Sequence, residues 1–121
     1  MSLHVNFTIR DTVLIVRLQG ELDHHEAAQL REEWQAHLRN GRVRDVIVNL
    51  KDLTFMDSSG LGVMLGRYKE VQAIGNEMII CSISPEVQRL FDLSGMFKIV
   101  RLVDDEMTAL AMLGVEQCEI K

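Results

Sequence analysis

Apolar and polar residues alternate along the first part of the chain. On residues 4–9 the side chains of Val5, Phe7 and Ile9 fall on one face, and a second apolar run covers residues 13–18 after a polar break. This period of two predicts a β-hairpin. Short apolar runs at residues 46–50 and 77–81 predict two buried strands, the first rich in β-branched residues. A last short strand is predicted within residues 97–103.

Between these strands, apolar residues recur at intervals of three and four, which is typical of amphipathic helices. The first predicted helix follows Asp23, an N-cap residue with Glu26 in capping-box position, and ends near residues 40–41. Helices are also predicted to begin near residues 57–60, at residues 84–86 and at residues 104–106. The predicted buried stripes are Ala27, Leu30, Trp34 and Leu38 in the first helix, and Leu61, Met64, Leu65, Tyr68, Val71 and Ile74 in the second.

This alternation of strands and helices predicts an α/β fold. We expect residues 1–121 to form a single domain with a mixed, mostly parallel sheet of four to five strands and about four helices. Residues 115–121 are expected to be a loosely ordered tail. The carboxyl ends of parallel strands meet at one edge of a sheet. The loops at residues 20–23 and 57–60 (loop 20–23 and loop 57–60 below) are therefore predicted to lie together and to form the functional face.

Composition and net charge indicate which classes of partner are unfavourable for this chain. The 121 residues are 47% hydrophobic and 26% charged, and the net charge of −5 argues against nucleic acid or an anionic membrane as the main partner. No apolar run approaches the roughly 20 residues of a membrane span. The amino terminus lacks the pattern of a signal peptide. The cysteines, Cys81 and Cys118, are interpreted as reduced thiols of a cytoplasmic protein.

The chemistry that stands out is a pair of serines at the start of the second helix. Ser58 and Ser59 follow Asp57, so their hydroxyls are predicted to lie beside unpaired helix N–H groups and the positive end of the helix dipole. That place suits a covalently attached phosphate, although spacing alone favours a simple N-cap role for Ser58. Adjacent His24 and His25 lack the i, i+4 spacing of a metal pair, so neither a metal site nor a cofactor is expected.

Two motifs resemble those of a known family. The first motif is Gly-Glu-Leu-Asp at residues 20–23, and the second is Phe-Met-Asp-Ser-Ser-Gly-Leu-Gly at residues 55–62. A further segment, Leu-Phe-Asp-Leu-Ser-Gly at residues 90–95, adds to the likeness. In this order they resemble the STAS domain family, and within it the sporulation-type anti-sigma-factor antagonists. The likeness extends over nearly the whole chain.

The resemblance implies a switch protein without catalytic activity, monomeric when free. Its unphosphorylated form would bind an anti-sigma factor that is also an ATP-dependent serine kinase, and so release the sporulation sigma factor. The kinase would phosphorylate Ser58 and end binding, and a metal-dependent serine phosphatase would restore the active form. Ser59 would then be the N-cap of the helix. The residues implied in contact, here called the partner-binding set, are Asp23, His24, Asp57, Ser58, Ser59, Gly60 and Leu61.

Three other interpretations remain open from the residues alone. A serine hydrolase would need a base, yet no Gly-x-Ser-x-Gly motif is present and every histidine precedes the serines, at positions 4, 24, 25 and 37. A receiver domain phosphorylated on Asp57 would need more acids at the end of the first strand pair than Glu21 and Asp23. A STAS scaffold of the stressosome type, or a transporter-associated regulator, would share the fold and differ in its client.

Two further interpretations concern the second helix itself. Gly60 and Gly62 either open the first turn to a kinase or allow the helix to pack tightly on the sheet. Arg67 and Lys69 are interpreted as part of a solvated face.

Overall fold

The computed structural model describes residues 2–95 and 98–115, which form one five-stranded sheet with helices on both faces. The spatial order of the strands equals their order in the chain. The first pair is antiparallel, and all other neighbouring strands are parallel. The predicted single α/β domain with a mostly parallel sheet is confirmed. In chain order the elements are β1 (Leu3–Arg10), β2 (Val13–Leu22), α1 (His24–Leu38), β3 (Asp45–Met56), α2 (Ser58–Ala73), β4 (Met78–Cys81), α3 (Pro85–Ser94), β5 (Arg101–Val103) and α4 (Glu106–Met112).

The alternation within each strand divides the core into two layers. On β2, Leu14 and Val16 point into the larger core beneath α1, α2 and α3, whereas Val13 and Ile15 point into a smaller core under α4. Both sets are buried, so β2 is apolar at every position from Val13 to Val16, as expected where a strand is covered on both faces. The larger core also contains Leu30, Trp34, Met64, Val71, Val87 and Phe91.

Strand β3 is longer than its apolar run predicts. Pairing with β2 continues beyond residue 50, through shifts in register, until Leu22 lies opposite Met56. Residues 51–55 are mostly polar or exposed and carry no strong strand signal in the sequence. Backbone hydrogen bonds to β2 extend the strand there, because a neighbouring strand offers donors and acceptors whatever the side chains are. The added length carries the chain to loop 57–60.

The buried face of α2 is rotated from the predicted stripe. Met64 and Val71 are buried as predicted, but Val63 is buried too and Ile74, at the end of the helix, is 67% exposed. The predicted residues Leu61, Leu65 and Tyr68 are only partly buried and pack against the edge of the core. A helix that packs against both a sheet and α1 buries a wider face than one stripe.

Arg67 on α2 is buried, so the solvated-face interpretation is wrong for this residue. Its Nε donates to Glu70 Oε1 at 2.9 Å, and Gln35 Nε2 on α1 donates to Glu70 Oε2 at 2.7 Å. Glu70 thereby pairs one side of the buried guanidinium, whose Nη1 has no hydrogen-bond partner among the described residues. The same carboxylate joins α1 to α2. Sequence spacing cannot distinguish this arrangement from an exposed i, i+3 pair.

Helix α4 covers the other face of the sheet, and an ion pair attaches it to strand β2. Arg17 on β2 donates from Nε and Nη2 to the two oxygens of Glu106, at 2.9 and 2.7 Å, and Asn49 on β3 donates to Glu106 Oε2 at 2.8 Å. The hydrogen bond from Arg17 lowers the pKa of Glu106. Under this helix, burial raises the pKa of the Cys81 thiol to about 11, so it stays protonated at neutral pH.

The prediction of a loosely ordered tail over residues 115–121 is wrong for its first residue. Val115, placed in the expected tail, is instead buried, and its N–H donates to Leu110 O at 3.0 Å. The chain therefore stays attached to α4 at this residue, because an apolar side chain there fills the smaller core. The short strand predicted within residues 97–103 is confirmed as β5. Residue 97 and residues 116–121, which include Cys118, lie outside the described residues.

Replacing Glu106 with Gln tests whether its ion pair with Arg17 stabilises the packing of α4 on the sheet. We expect Glu106→Gln to lower the free energy of unfolding at pH 7 by about 1 kcal/mol, a figure reduced for the partial exposure of both partners. Because the folded-state pKa of Glu106 is lowered, the ionised carboxylate stabilises the fold above its ordinary value of 4.5, and this contribution is lost as the pH falls through the lowered value. Urea unfolding at pH 7 and pH 3 measures the difference, which should narrow at low pH. An equal loss of unfolding free energy at pH 7 and pH 3 would contradict a stabilising role of the ionised Glu106 carboxylate.

Candidate functional site

The two loops predicted to form the functional face do lie together. Strands β2 and β3 are parallel and end side by side, with Leu22 opposite Met56. Just beyond this pair, Asp57 N donates to Leu22 O at 3.3 Å. Loop 20–23 and loop 57–60 therefore meet at the carboxyl edge of the sheet, and α1 and α2 both start there.

Each of these helices is capped by an aspartate. The predicted N-cap role of Asp23 is confirmed, since its Oδ1 accepts from His25 N at 2.9 Å and Glu26 N at 3.2 Å. Helix α2 is capped by Asp57, whose Oδ1 accepts from Ser59 N at 2.9 Å and Gly60 N at 3.2 Å.

The prediction that Ser59 is the N-cap of α2 is therefore wrong, and so is the simple N-cap interpretation of Ser58. Asp57 has the extended backbone of a capping residue, with φ −104° and ψ −172°. Its carboxylate accepts from the free N–H groups of the first turn, so neither serine hydroxyl takes that role. The helix begins one residue earlier than a serine cap would allow. Both serines consequently occupy the first turn, with Ser58 as the first helical residue.

The Ser58 side chain is exposed, and no hydrogen bond to its hydroxyl occurs within the described part of the chain. Ser59 is partly buried. A hydroxyl that the fold neither buries nor pairs is available to a second protein without breaking any internal bond. The geometry therefore supports a chemical or recognition role for Ser58 and no structural one.

The surroundings of Ser58 are acidic and carry two imidazoles. Asp57 Oδ2 accepts from His24 N at 3.1 Å, which brings the start of α1 next to the serine. His24 and His25 are exposed, with ring centroids 4.0 Å apart. Asp23 and Asp57 flank this point, so a further negative charge on Ser58 would add to an already negative field.

Gly60 and Gly62 have different surroundings, and those of Gly60 agree with the tight-packing interpretation. A Cβ atom on Gly60 would lie 2.5 Å from Met56 Cγ and 2.9 Å from Leu22 Cγ, so Gly60 allows α2 to approach the strand ends closely. Gly62 is exposed and has no neighbouring atom within 4 Å of such a Cβ. It leaves the surface next to the serines open. Leu61 between them is half-buried against the core.

A groove beside the serines was not predicted from the sequence. It lies between the end of β3 and α3, has a volume of about 280 Å³ and includes Phe55, Met56, Leu90 and Leu93 in its lining. Phe55 is 47% and Leu93 is 82% exposed, unusual for such large apolar side chains. The sequence signal that could have indicated it is Leu93, an apolar residue outside the buried face of α3.

Within residues 2–95 and 98–115, no group of three or more histidine, cysteine, aspartate or glutamate side chains is arranged to hold a metal ion. None of the helices found there combines the length and apolar character required to span a membrane.

The close approach at Gly60 is testable with a matched pair of substitutions. Gly60→Ala should lower the free energy of unfolding by about 1–3 kcal/mol, because its methyl group overpacks the contact with Met56 and Leu22. Gly66→Ala, in the same helix with no atom within 4 Å of the added group, should raise it by up to about 1 kcal/mol. Urea denaturation of both variants measures the contrast. If both alanines stabilise α2, the close-packing role of Gly60 is wrong.

This chain is similar in sequence to known proteins. The family model of the STAS domain matches residues 4–109. The anti-sigma F factor antagonist of Paenibacillus polymyxa is 45% identical over 115 residues, which are 95% of this chain and 98% of that protein.

Solved structures agree with the sequence match. The unphosphorylated form of the anti-sigma factor antagonist SpoIIAA has a TM-score of 0.75 and 31% identity, covering 93% of this chain and 98% of that one. The phosphorylated form of SpoIIAA from Bacillus has a TM-score of 0.73 and 31% identity, covering 93% and 99%. With a family model over most of its length, a strand order and helices that agree with the related structures, and its two motifs at one edge of the sheet, this chain belongs to the STAS domain family.

Proposed function

We propose that this chain is a phosphorylation-controlled anti-sigma-factor antagonist. Its unphosphorylated form binds an anti-sigma factor with serine kinase activity in the cytoplasm and so releases the sporulation sigma factor. The observation that carries the proposal is the exposed, unpaired hydroxyl of Ser58 at the edge where the two motifs meet. The relatives support it, since one is an anti-sigma F factor antagonist and a related solved structure is of a phosphorylated form.

The partner-binding set forms the centre of the proposed interface. Asp23, His24 and Ser58 belong to the start of two adjacent helices, so one partner surface can contact all three. Beside them, the groove with Phe55 and Leu93 offers the apolar area that protein interfaces require at their centre. We therefore extend the proposed interface from the serines to α3.

The chemistry of the switch is a phosphoryl transfer supplied by the partner. The Ser58 oxygen attacks the γ-phosphorus of ATP, a new O–P bond forms, the bond to ADP breaks, and the hydroxyl proton leaves to a base of the kinase. Metal-dependent hydrolysis by a serine phosphatase reverses the modification. This chain contributes the acceptor and its placement; the catalytic groups belong to the partners.

Release of the partner follows from electrostatics. A phosphate adds about −1.5 to −2 charge at neutral pH, next to Asp57 and Asp23. A partner surface that fits a neutral serine would have to desolvate this dianion. An unfavourable contribution of about 4 kcal/mol weakens binding roughly a thousandfold. Because the serine is already exposed, no refolding of this chain is needed for the effect.

Two alternatives are less well supported. A serine hydrolase would need a base on the Ser58 hydroxyl, and within the described residues no imidazole is hydrogen-bonded to it, although His24 and His25 begin the adjacent helix. A STAS scaffold or transporter-associated regulator would share every feature of the fold. The 45% identity to an anti-sigma F factor antagonist favours the sigma-factor client.

Substitutions of Ser58 test the switch directly. Ser58→Asp should weaken binding to the purified anti-sigma F factor of the same organism by about a hundredfold, because it places a permanent charge in the interface. Its thermal unfolding should stay close to that of the parent chain, since the side chain is exposed. Ser58→Ala should bind normally and take up no phosphate, whereas Ser59→Ala should still be phosphorylated.

Calorimetry and intact mass spectrometry after incubation with ATP measure these outcomes. Tight binding by Ser58→Asp would count against electrostatic exclusion. Phosphate on the Ser58→Ala variant would show that another hydroxyl is the acceptor.

The groove is tested by removing its exposed leucine. Leu93→Ser should weaken binding to the same anti-sigma factor by about tenfold with little change in unfolding, because the side chain is 82% exposed in the free protein. Met112→Ser is the matched control: an exposed apolar residue at the end of α4, on the opposite face of the sheet. Equal affinities of the two variants would exclude α3 from the interface.

A further inference from the structure

The carboxylate of Asp57 receives hydrogen bonds from two different helices. One oxygen, Oδ1, accepts from Ser59 N and Gly60 N in the first turn of α2. The other, Oδ2, accepts at 3.1 Å from the N–H of His24, which is the first residue of α1. The backbone of Asp57 is held as well, by the bond from its N–H to Leu22 O. The residue is thus fixed to β2, to α1 and to α2 together.

Other capping residues do not make such a link. Asp23 accepts only from the first turn of its own helix, through Oδ1, and Asp105 accepts from Thr108 N of its own helix at 2.8 Å. Among the capping residues of the four described helices, Asp57 alone bonds to a second helix. The second bond satisfies a free N–H group at the start of α1, so one carboxylate serves the first turns of two helices and links them.

We propose that Asp57 is a positioning residue, whose carboxylate holds Asp23 and Ser58 in one fixed arrangement and leaves the Ser58 hydroxyl free by taking the capping role itself. The inference rests on the proposed function only for the identity of the partner. In the partner-binding set, Asp57 then acts through its neighbours and contributes preorganisation. A surface made of two chain segments binds more tightly when the segments are already ordered, because association then costs less conformational entropy.

The bond from His24 also explains how two motifs separated in the sequence act as one. Loop 20–23 ends at Asp23, and the next residue donates to Asp57. Movement of either segment alone would break this bond, so the start of α1 and the first turn of α2 move together or remain still. The strand pairing brings them near each other, and the carboxylate sets their final distance.

Replacing Asp57 with Asn separates the two roles of the carboxylate. Asparagine caps helices as well as aspartate does, but it has a single acceptor oxygen and its NH₂ group cannot accept from His24 N. We expect the Asp57→Asn chain to stay folded, with amide exchange at His24 accelerated at least about tenfold while the Ser59 amide stays protected. Affinity for the anti-sigma F factor of the same organism should fall about tenfold. With the kinase, KM should rise by a similar factor and kcat should change little, because binding restores the arrangement.

The matched control is Asp105→Asn, the same chemical change at the N-cap of α4, on the other side of the sheet. It should alter neither His24 exchange nor affinity. If Asp57→Asn does not fold, Asp57→Ser provides a second variant, because serine caps a helix but is too short to bridge to α1. Hydrogen exchange followed by NMR and calorimetry measure both quantities on the full chain.

The outcomes separate this inference from the proposed function. Normal affinity in a variant whose His24 amide has lost protection would overturn the positioning role, and so would unchanged protection at His24. A parent chain that does not bind the anti-sigma factor would overturn the proposed function. In that case the exchange data would still decide whether Asp57 holds the two helices together.

Discussion

Parallel pairing of β2 with β3, continued to the last residue of each strand, is the constraint on which the site depends. It places Leu22 opposite Met56 and brings two motifs from distant parts of the sequence to one edge of the sheet. Gly60 then allows α2 to approach these strand ends more closely than any other residue would permit. The remaining features of the site, two capped helices and an exposed serine, follow from this approach because both helices must begin where the strands end.

Polar contacts away from the site keep the surrounding scaffold in place. Glu70 joins α1 to α2 through Gln35 and buried Arg67, and Glu106 joins α4 to the sheet through Arg17. Each carboxylate accepts from more than one partner, an arrangement that fixes direction as well as distance. The helices that carry the site are therefore attached at both ends, by aspartates at the start and by the Glu70 contact further along. A modification at the first residue of α2 changes the surface charge of a structure that has little freedom to rearrange.

Much of this could be predicted from the sequence, and the failures have physical causes. Strand and helix order followed from hydrophobic periodicity, and the Asp23 cap followed from residue type, because both signals are local. The length of β3 was missed because its second half is held by pairing with β2, which no local pattern records. Ser59 was assigned the capping role of Asp57 because both residue types cap helices, and only the backbone geometry decides between them. The sequence interpretation puts Arg67 on the surface because charged side chains are normally exposed. In the fold Arg67 is buried and forms an ion pair with Glu70.

The first turn of α2 has a consequence for the regiochemistry of modification. Successive residues of a helix point about 100° apart around its axis, so adjacent Ser58 and Ser59 face different directions, one towards solvent and the other partly towards the protein. An enzyme approaching this turn from solvent would meet the Ser58 hydroxyl more readily than that of Ser59, although the two side chains are chemically identical. Under the proposed function, the helical geometry of the substrate would itself favour modification at one of the two serines.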